Sequence, residues 1–534
     1  MLVGVIAILA VLLLPTSTII AVGDMSYQKL WLGYMSVVFI IGCLSYFNMN
    51  EKQCLSFHLF VIWVLIALGG IEAIWGLRQL YGLAVSNHAL YALTGSFYNP
   101  GPYSGYLAMV FPICLHEWLN VKNVRERRWM QQGKYYLSIG VILLIVCVLP
   151  AGMSRSAWIA ATISSAWVYG MHASWGSRIK EIGRKYRGRA LAAIITGGIV
   201  LLMAGYALFH LKADSASGRL FMWKISGLAI AESPLWGHGS GTFASVYGMT
   251  QENYFAAGSY TKTEELVAGS PEYAFNEYLQ IAVEYGVPFL ILILMLIAFC
   301  LWKGITEQKI GSCGGVISVL VFAFSSYPMQ IPGFAIAIFF LLAACVISRS
   351  KISLIFFSLI VALLGTYCLK SNQYDACKEW FRVKMMYNIG AYQAAKEEYE
   401  ELYPELKNRG AFLFEYGHCL HKLKEYDSSV RVLKEAIQYS NDPMILNIIG
   451  KNYQALGEFE KAEEWLIRST HRLPGRIYPY YLLVKLYTEP EFQNLEKFKQ
   501  TASIVLTKEP KVQSTAIKEM REEVRKLIID HSEW

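Results

Sequence analysis

The sequence lacks the motifs of metal-dependent and nucleotide-dependent chemistry. Its 534 residues contain no Asp-x-Asp pair, no GxxxxGK[ST] phosphate loop and no HExxH zinc helix. Only two aspartates, Asp24 and Asp214, precede residue 371. A metal-bound nucleotide-sugar site is not expected, because a hard divalent cation needs clustered oxygen ligands. We therefore predict no metal site and no cofactor.

Paired cysteines are also lacking. The ten cysteines are scattered, without a CxxC pair or a Cys/His cluster of zinc spacing, which favours packing roles. The formal charge of +8 does not indicate nucleic acid, because the basic residues lie mainly in short loops between apolar stretches. We predict no nucleic-acid partner.

Long apolar runs dominate the first two thirds of the chain. The composition is 55% hydrophobic and 14% aromatic, more than a single soluble core of this length needs. A helix of about 20 apolar residues crosses the hydrocarbon core of a bilayer. The sequence predicts about eleven membrane spans, near residues 2–23, 30–48, 56–80, 102–120, 135–151, 156–172, 190–210, 277–302, 311–326, 333–348 and 352–369.

The basic residues predict the orientation of these spans. Loops 121–134 and 173–189 hold five and six Lys or Arg residues and should be cytoplasmic. Alternation then places the loops 81–101 and 211–276 and the C-terminal tail outside. We predict a transmembrane domain over residues 1–370, which includes the outer loop 211–276, and a soluble extracytoplasmic domain over residues 371–534.

The C-terminal tail contains a repeat of 33 residues. Gly417 matches Gly450, Leu423 matches Leu456, and Tyr426 matches Phe459. The pattern resembles the tetratricopeptide repeat, in which helix pairs stack into an α-solenoid. Two roles stay open for such repeats: binding a protein partner, or acting as a spacer or assembly domain.

A few cations fall on the predicted outer side of the membrane. They are Arg78, Arg155, Arg219 and Lys224. Guanidinium groups bind phosphate oxygens bidentately, so together these residues fit a phosphate-bearing lipid. Stabilising the charge of a departing diphosphate would be the largest contribution to transfer from such a lipid. Considered singly, each of these cations is also consistent with a residue that snorkels to the membrane surface or lies at the interface.

The stretch "FNEYLQIAVEYG" places polar groups at the predicted mouth of the span 277–302. Glu277, Gln280 and Glu284 share one helical face, and Asn276 is spaced to meet Gln280. Two interpretations of Glu277 remain: a first-turn carboxylate that complements the helix dipole, or the group that accepts a proton from an attacking hydroxyl.

Four blocks carry a family resemblance. The same stretch resembles the H-[NSQ]-x-x-L-x6-G signature of O-antigen ligases and Wzy-type polymerases, with Phe275 in place of the histidine. The other blocks lie upstream and are "GSFYN" with Asn99, "MSRSAW" with Arg155, and residues 217–243 with Arg219, Trp223 and the turn Pro234 to Gly239.

The resemblance implies an all-α, GT-C-like helix bundle that transfers a glycan from undecaprenyl diphosphate with inversion. The bundle would lie in the bacterial inner membrane, with the repeats in the periplasm. The implied acceptor is a lipid A core sugar or a protein hydroxyl, or else the growing chain of a polymerase.

Carried over residue by residue, the resemblance assigns the donor diphosphate to Arg155 and Arg219 and, less closely, to Arg78. Because Phe275 cannot move a proton, either Glu277 activates the acceptor in place of the histidine, or the site works mainly by charge stabilisation and alignment. From the residues themselves we add Lys224 to the diphosphate ligands, predict catalysis by Glu277 with Arg155 and Arg219, and predict acceptor positioning by Asn276, Gln280, Asn99 and His238.

Two non-enzymatic alternatives remain. A transporter would place ionisable groups near the bilayer midplane, often in repeated halves, and Glu72 is the clearest ionisable group deeper in a predicted span. A membrane-anchored scaffold would use the repeats as its working part. Substitution of Arg219 and Glu277 would then leave glycan transfer unchanged.

Overall fold

The computed structural model describes residues 51–120, 129–175, 196, 213–347 and 374–530. Over these residues the chain forms twenty α-helices and no strand, which confirms the predicted all-α class. The helices are α1 Glu51–Leu80, α2 Pro100–Asn120, α3 Trp129–Val148, α4 Arg155–His172, α5 Ala213–Glu232, α6 Phe243–Ala256, α7 Lys262–Val267, α8 Glu277–Tyr285, α9 Val287–Thr306, α10 Ile310–Ala323, α11 Pro332–Val346, α12 Tyr374–Asn388, α13 Tyr392–Leu406, α14 Gly410–Lys422, α15 Tyr426–Ala436, α16 Pro443–Ala455, α17 Phe459–Arg472, α18 Tyr478–Leu486, α19 Leu495–Thr507 and α20 Thr515–Asp530.

Three helices of the described residues are long and apolar enough to cross a membrane. They lie at Cys54–Leu80, Gln131–Val148 and Val287–Thr306, and α10 and α11 are shorter apolar helices. The predicted spans near 2–23, 30–48, 190–210 and 352–369 lie outside the described residues. The predicted number of eleven spans stays a prediction.

The chain divides into two compact units. The membrane unit comprises the described residues up to 175, Phe275–Tyr278, and the described residues from Leu290 to Tyr374. The repeat unit comprises Ala213–Ala274, Leu279–Phe289 and the described residues from Asp375 onward. This division places most of the predicted outer loop with the repeats, whereas the sequence-based boundaries placed it with the membrane domain.

Helix α10 lies at the centre of the membrane unit, where it packs against α2, α4 and α11. Its glycines permit this close packing. A Cβ atom on Gly314 would lie 2.5 Å from Val168, and one on Gly315 would lie 3.1 Å from Ile113. Small residues let helix backbones approach in a membrane, where dispersion contacts replace the hydrophobic effect between helices.

The repeats form antiparallel helix pairs, and the predicted small residues lie at the contacts within the pairs. Gly417 of α14 lies beneath Leu433 of α15, and Gly450 of α16 lies beneath Leu466 of α17. A Cβ atom on either glycine would approach the leucine within 2.7 Å. The glycine recurs after 33 residues because each helix pair needs room at this position for the leucine of its second helix.

Most of the predicted outer loop is helical and packs on the repeats. Helix α6 contacts α17, where Arg468 and Arg472 form ion pairs with Glu252 at 2.7 Å. Arg472 is buried with 1% of its surface exposed, and Gln251 donates to its carbonyl oxygen. Since a buried guanidinium needs a paired anion, Glu252 fixes how this segment sits on the repeats.

The predicted span 277–302 is wrong at its start. Helix α8, which begins at Glu277, ends at Tyr285, and the membrane-length helix α9 begins only at Val287. Gly286 adopts a φ of +83°, and the Val287 N–H donates to the Pro234 carbonyl at 2.8 Å. A left-handed glycine ends a helix, and Pro288 suits the first turn of the next one. Glu277, Gln280 and Glu284 therefore belong to a separate nine-residue helix.

Candidate functional site

Arg155 is the first residue of α4 and follows a tight turn after α3. Within this turn Met153 adopts a φ of +48°, and Gly152 packs so closely on α2 that a Cβ atom would lie 2.1 Å from Ser104 Oγ. The indole of Trp158 donates to the Leu149 carbonyl at 3.0 Å and ties the turn to the helix. Arg155 is half-buried. The turn therefore places an arginine in the first turn of α4, and the N-terminal N–H groups of a helix favour anions.

Glu277 is buried at the start of α8, with 4% of its surface exposed. Its Oε1 accepts a hydrogen bond from the Met329 N–H at 2.8 Å, and its Oε2 lies 3.5 Å from Gln330 Nε2. Both partners belong to the 3-10 turn Pro328–Gln330 between α10 and α11. These donors suit an ionised carboxylate and fix its direction.

The two residues before Glu277 set the entry to α8. Asn276 Oδ1 accepts from the Tyr278 N–H at 3.0 Å, which is an N-cap interaction. Phe275, at the family's histidine position, adopts a φ of +49° and packs edge-on against Tyr327 at 4.8 Å. A positive φ on an aromatic residue is strained. The backbone is therefore strained at the position where the resemblance predicts a histidine.

A cavity of about 490 Å³ lies in the membrane unit. Its lining is mostly apolar and consists of Ser156, Ile159, Tyr278, Leu320, Val321, Phe324 and Ser325. Ser156 directly follows Arg155, and Tyr278 directly follows Glu277. The Tyr278 hydroxyl donates to the Leu320 carbonyl at 2.7 Å, which holds α8 to α10. A mostly apolar cavity whose wall adjoins a cation and a carboxylate in sequence suits an amphiphilic ligand with a charged head.

Gln280 and Glu284 lie in the repeat unit and bond to each other. Gln280 Nε2 lies 3.4 Å from Glu284 Oε1, and Gln280 Oε1 accepts from the Ala274 N–H. Glu284 Oε2 accepts from the Gly241 N–H at 3.0 Å. Both side chains are buried. These two side chains brace the connection between α8 and residues Ala213–Ala274, which we call the outer segment because they form most of the predicted outer loop.

His238 lies in the glycine-rich turn that packs on the C-terminal end of α8. Its N–H donates to the Val283 carbonyl, and its Nε2 lies 2.9 Å from the Ala229 carbonyl. Gly237, at a φ of +67°, approaches so closely that a Cβ atom would lie 2.5 Å from the Glu284 carbonyl carbon. In the structure, His238 therefore makes a local backbone contact that fixes this turn.

Lys224 forms an ion pair within the outer segment. Its Nζ lies 2.6 Å from Glu264 Oε1 and 2.7 Å from the Tyr254 hydroxyl. Burial opposes ionisation of the Glu264 carboxyl, but hydrogen bonds from Lys224, Thr261 and Tyr254 outweigh it and lower its pKa to about 2. The charge of Lys224 is thus matched by Glu264 in the structure.

The remaining predicted residues, Arg78, Asn99 and Arg219, each have a different local environment. Arg78 is exposed at the C-terminal end of α1, where a cation complements the helix dipole. Asn99 precedes α2, and its Oδ1 accepts from the Gly101 N–H at 2.9 Å as an N-cap. Arg219 is half-buried in α5. Among the predicted site residues, all of which the structure describes, only Arg155 and Glu277 directly adjoin a cavity-lining residue in sequence, and none lines the cavity itself.

Sequence reasoning missed the role of two polar residues of α1. Glu72 accepts from the Ser96 N–H and hydroxyl, and Gln79 Oε1 accepts from the N–H groups of Thr94 and Gly95. They hold the α1–α2 loop to the helix. The available signal was their spacing of seven residues, which places both on one helical face.

These features define an all-helical, multi-pass membrane protein with a helical repeat unit. Residues 139–294 match the model of the family described as O-antigen ligase, and residues 411–443 match a tetratricopeptide repeat. Both predicted resemblances are confirmed. The ligase match supports a membrane glycan function of ligase or polymerase type and implies an enzyme that transfers glycosyl groups. A search of the curated proteins finds no match.

The matched ligase segment contains most of the predicted site. Arg155, Arg219, Lys224, His238 and the α8 residues lie within residues 139–294. Arg78 and Asn99 lie before it.

Proposed function

We propose that the chain transfers a glycan from undecaprenyl diphosphate to a lipid A core sugar or a protein hydroxyl, at the outer face of the bacterial inner membrane. The observation that supports this most is the cavity of about 490 Å³ lined by Ser156 and Tyr278, the sequence neighbours of Arg155 and Glu277, since all four residues lie in the segment that matches the ligase family. Its apolar walls suit an isoprenoid chain. The guanidinium of Arg155 suits the diphosphate that joins this chain to the sugar.

In the proposed reaction the acceptor oxygen attacks the anomeric carbon as the bond from that carbon to the diphosphate oxygen breaks. The hydroxyl proton passes to the carboxylate of Glu277, and the leaving diphosphate keeps the bonding electron pair. Arg155 stabilises the charge that develops on it. Attack from the face opposite the leaving group inverts the anomeric centre.

The fixed direction of the Glu277 carboxylate supports its role as the proton acceptor. Its hydrogen bond to the turn Pro328–Gln330 already orients the carboxylate. The group therefore does not need to reorganise during the reaction. Phe275 cannot move a proton, and Glu277 lies two residues away. Arg219, Arg78 and Lys224 stay predicted diphosphate ligands, and Asn276, Gln280, Asn99 and His238 stay predicted acceptor-positioning residues.

Reconstitution tests this proposal. The purified chain is placed in liposomes with a labelled undecaprenyl-diphosphate oligosaccharide and a chelator, and lipid A core and a protein acceptor are supplied in separate reactions. We expect labelled glycan on one of these acceptors together with release of undecaprenyl diphosphate. Elongation of the lipid-linked glycan alone would make the chain a polymerase. No consumption of the donor would contradict enzymatic transfer.

A further inference from the structure

A second cavity, of about 660 Å³, lies wholly within the repeat unit. Phe414 of α14, Asn447 of α16 and Tyr478 of α18 line it from three successive repeats, and Ser270 and Glu272 line it from the outer segment. The outer-segment residues belong to the ligase-family match, whereas the others follow it in the repeats. The cavity therefore combines residues from both parts of the chain.

Asn447 carries an unmet hydrogen bond in this cavity. Its side chain is buried with 2% of its surface exposed, and Oδ1 has no hydrogen-bond partner among the described residues. Its Nδ2 lies 3.6 Å from the Met444 sulfur, a weak acceptor. A buried carbonyl oxygen without a donor destabilises a fold, so such an oxygen on a residue that lines a cavity points to a ligand that donates.

The repeat architecture does not require an amide at this position. Phe414, 33 residues earlier, is the equivalent residue of the preceding helix pair, and it lines the same cavity with an apolar ring. One helix packs with a phenylalanine at this position and the next one packs with an asparagine. The polarity of Asn447 is therefore specific to the cavity rather than to the repeat.

The rest of the lining combines aromatic faces with charged and hydroxyl groups. Tyr439 and Tyr478 add rings, Glu272 and Asp442 add carboxylates, and Arg476 adds a guanidinium. Sugars present the matching chemistry, because their C–H faces pack on aromatic rings and their hydroxyls both donate and accept. The volume lies within the range of small-ligand sites.

We propose that this cavity binds a short stretch of glycan, with a sugar hydroxyl donating to Asn447 Oδ1. A peptide could also donate an N–H to this oxygen, and the choice of a glycan rests on the proposed function. The repeats would then recognise the carbohydrate that the enzyme handles.

The test measures binding without turnover. The full-length chain in detergent, without donor lipid, is applied to an array of defined bacterial O-antigen and capsular oligosaccharides and, separately, to an array of tiled periplasmic peptides. We expect selective binding of an oligosaccharide. Asn447→Leu should weaken it about tenfold through the lost hydrogen bond, while its thermal midpoint stays unchanged or rises because an unpaired oxygen is removed.

The controls separate this proposal from the proposed function. Asn408→Leu changes an exposed asparagine outside the cavity and should leave binding unchanged. Arg155→Ala should abolish transfer but keep oligosaccharide binding. Binding of peptides alone, binding of no probe, or a fall in the thermal midpoint of Asn447→Leu would each overturn the glycan site.

Discussion

At the scale of single residues, Glu277 can be tested without disturbing its surroundings. A glutamine side chain keeps an oxygen that can accept from the Met329 N–H, so Glu277→Gln should preserve the turn that this bond holds. The variant cannot accept the hydroxyl proton. We expect glycan transfer to fall about 100-fold or more, measured by initial rate in the reconstituted assay.

Glu401→Gln provides the matched control, since Glu401 is exposed on α13 of the repeats. Its rate should equal that of the unmodified chain. If Glu277→Gln also transferred at nearly the full rate, Glu277 would be a first-turn helix residue that anchors the 3-10 turn, and its catalytic role would be wrong.

The two asparagines of the predicted site show what residue type alone predicts. Asn99 and Asn276 each lie just before a helix, and the side-chain oxygen of each accepts a hydrogen bond from the N–H of the second residue of that helix. The signal for capping was available, because asparagine is a preferred N-cap residue. The positive φ of Phe275 was not predictable, since nothing in an aromatic side chain favours it.

At the scale of elements, the sequence located five helices of the membrane unit within about five residues and failed at one junction. The length of the apolar runs located α1, α2, α4, α10 and α11. It merged α8 and α9 into one span because their hydropathy is continuous. The break was encoded by Gly286 followed by Pro288, a helix-ending glycine before a helix-starting proline.

Gly286→Ala tests this junction. A Cβ atom there would lie 2.2 Å from the Leu235 carbonyl oxygen, and the φ of +83° disfavours any side chain. We expect the free energy of unfolding to fall by about 2 kcal/mol or more, measured by thermal unfolding of the purified chain.

Gly227→Ala is its control on the exposed face of α5, where a Cβ atom would meet nothing within 4 Å. Alanine is the better helix former, so stability should stay the same or rise by up to about 1 kcal/mol. Equal stability of both variants would mean that the junction tolerates a continuous helix.

At the scale of the whole molecule, the sequence did not predict that the outer segment packs on the repeats. The prediction relied on hydropathy and position, and both place residues 211–276 with the spans that flank them. The packing depends on pairings such as Glu252 with Arg472, which are separated by 220 residues. Charge pairs at such separation leave no periodic signal in one sequence.

Glu252→Gln tests this packing. It leaves the buried guanidinium of Arg472 without its anion, and removing one partner of a buried pair costs about 3 to 5 kcal/mol. We expect a large fall in the thermal midpoint. Glu509→Gln breaks the exposed pair with Lys262 and should change stability by less than about 1 kcal/mol. Similar midpoints for the two variants would show that Glu252 does not hold the segment.

The central claim is that Arg155 stabilises a departing lipid diphosphate beside the cavity of the membrane unit. Transfer by Arg155→Ala in liposomes, compared with Arg431→Ala at an exposed arginine of the repeats, tests it most directly. The account predicts a rate about 100- to 1,000-fold lower for Arg155→Ala, with an unchanged thermal midpoint, and a normal rate for Arg431→Ala. Equal transfer rates for the two variants would contradict it.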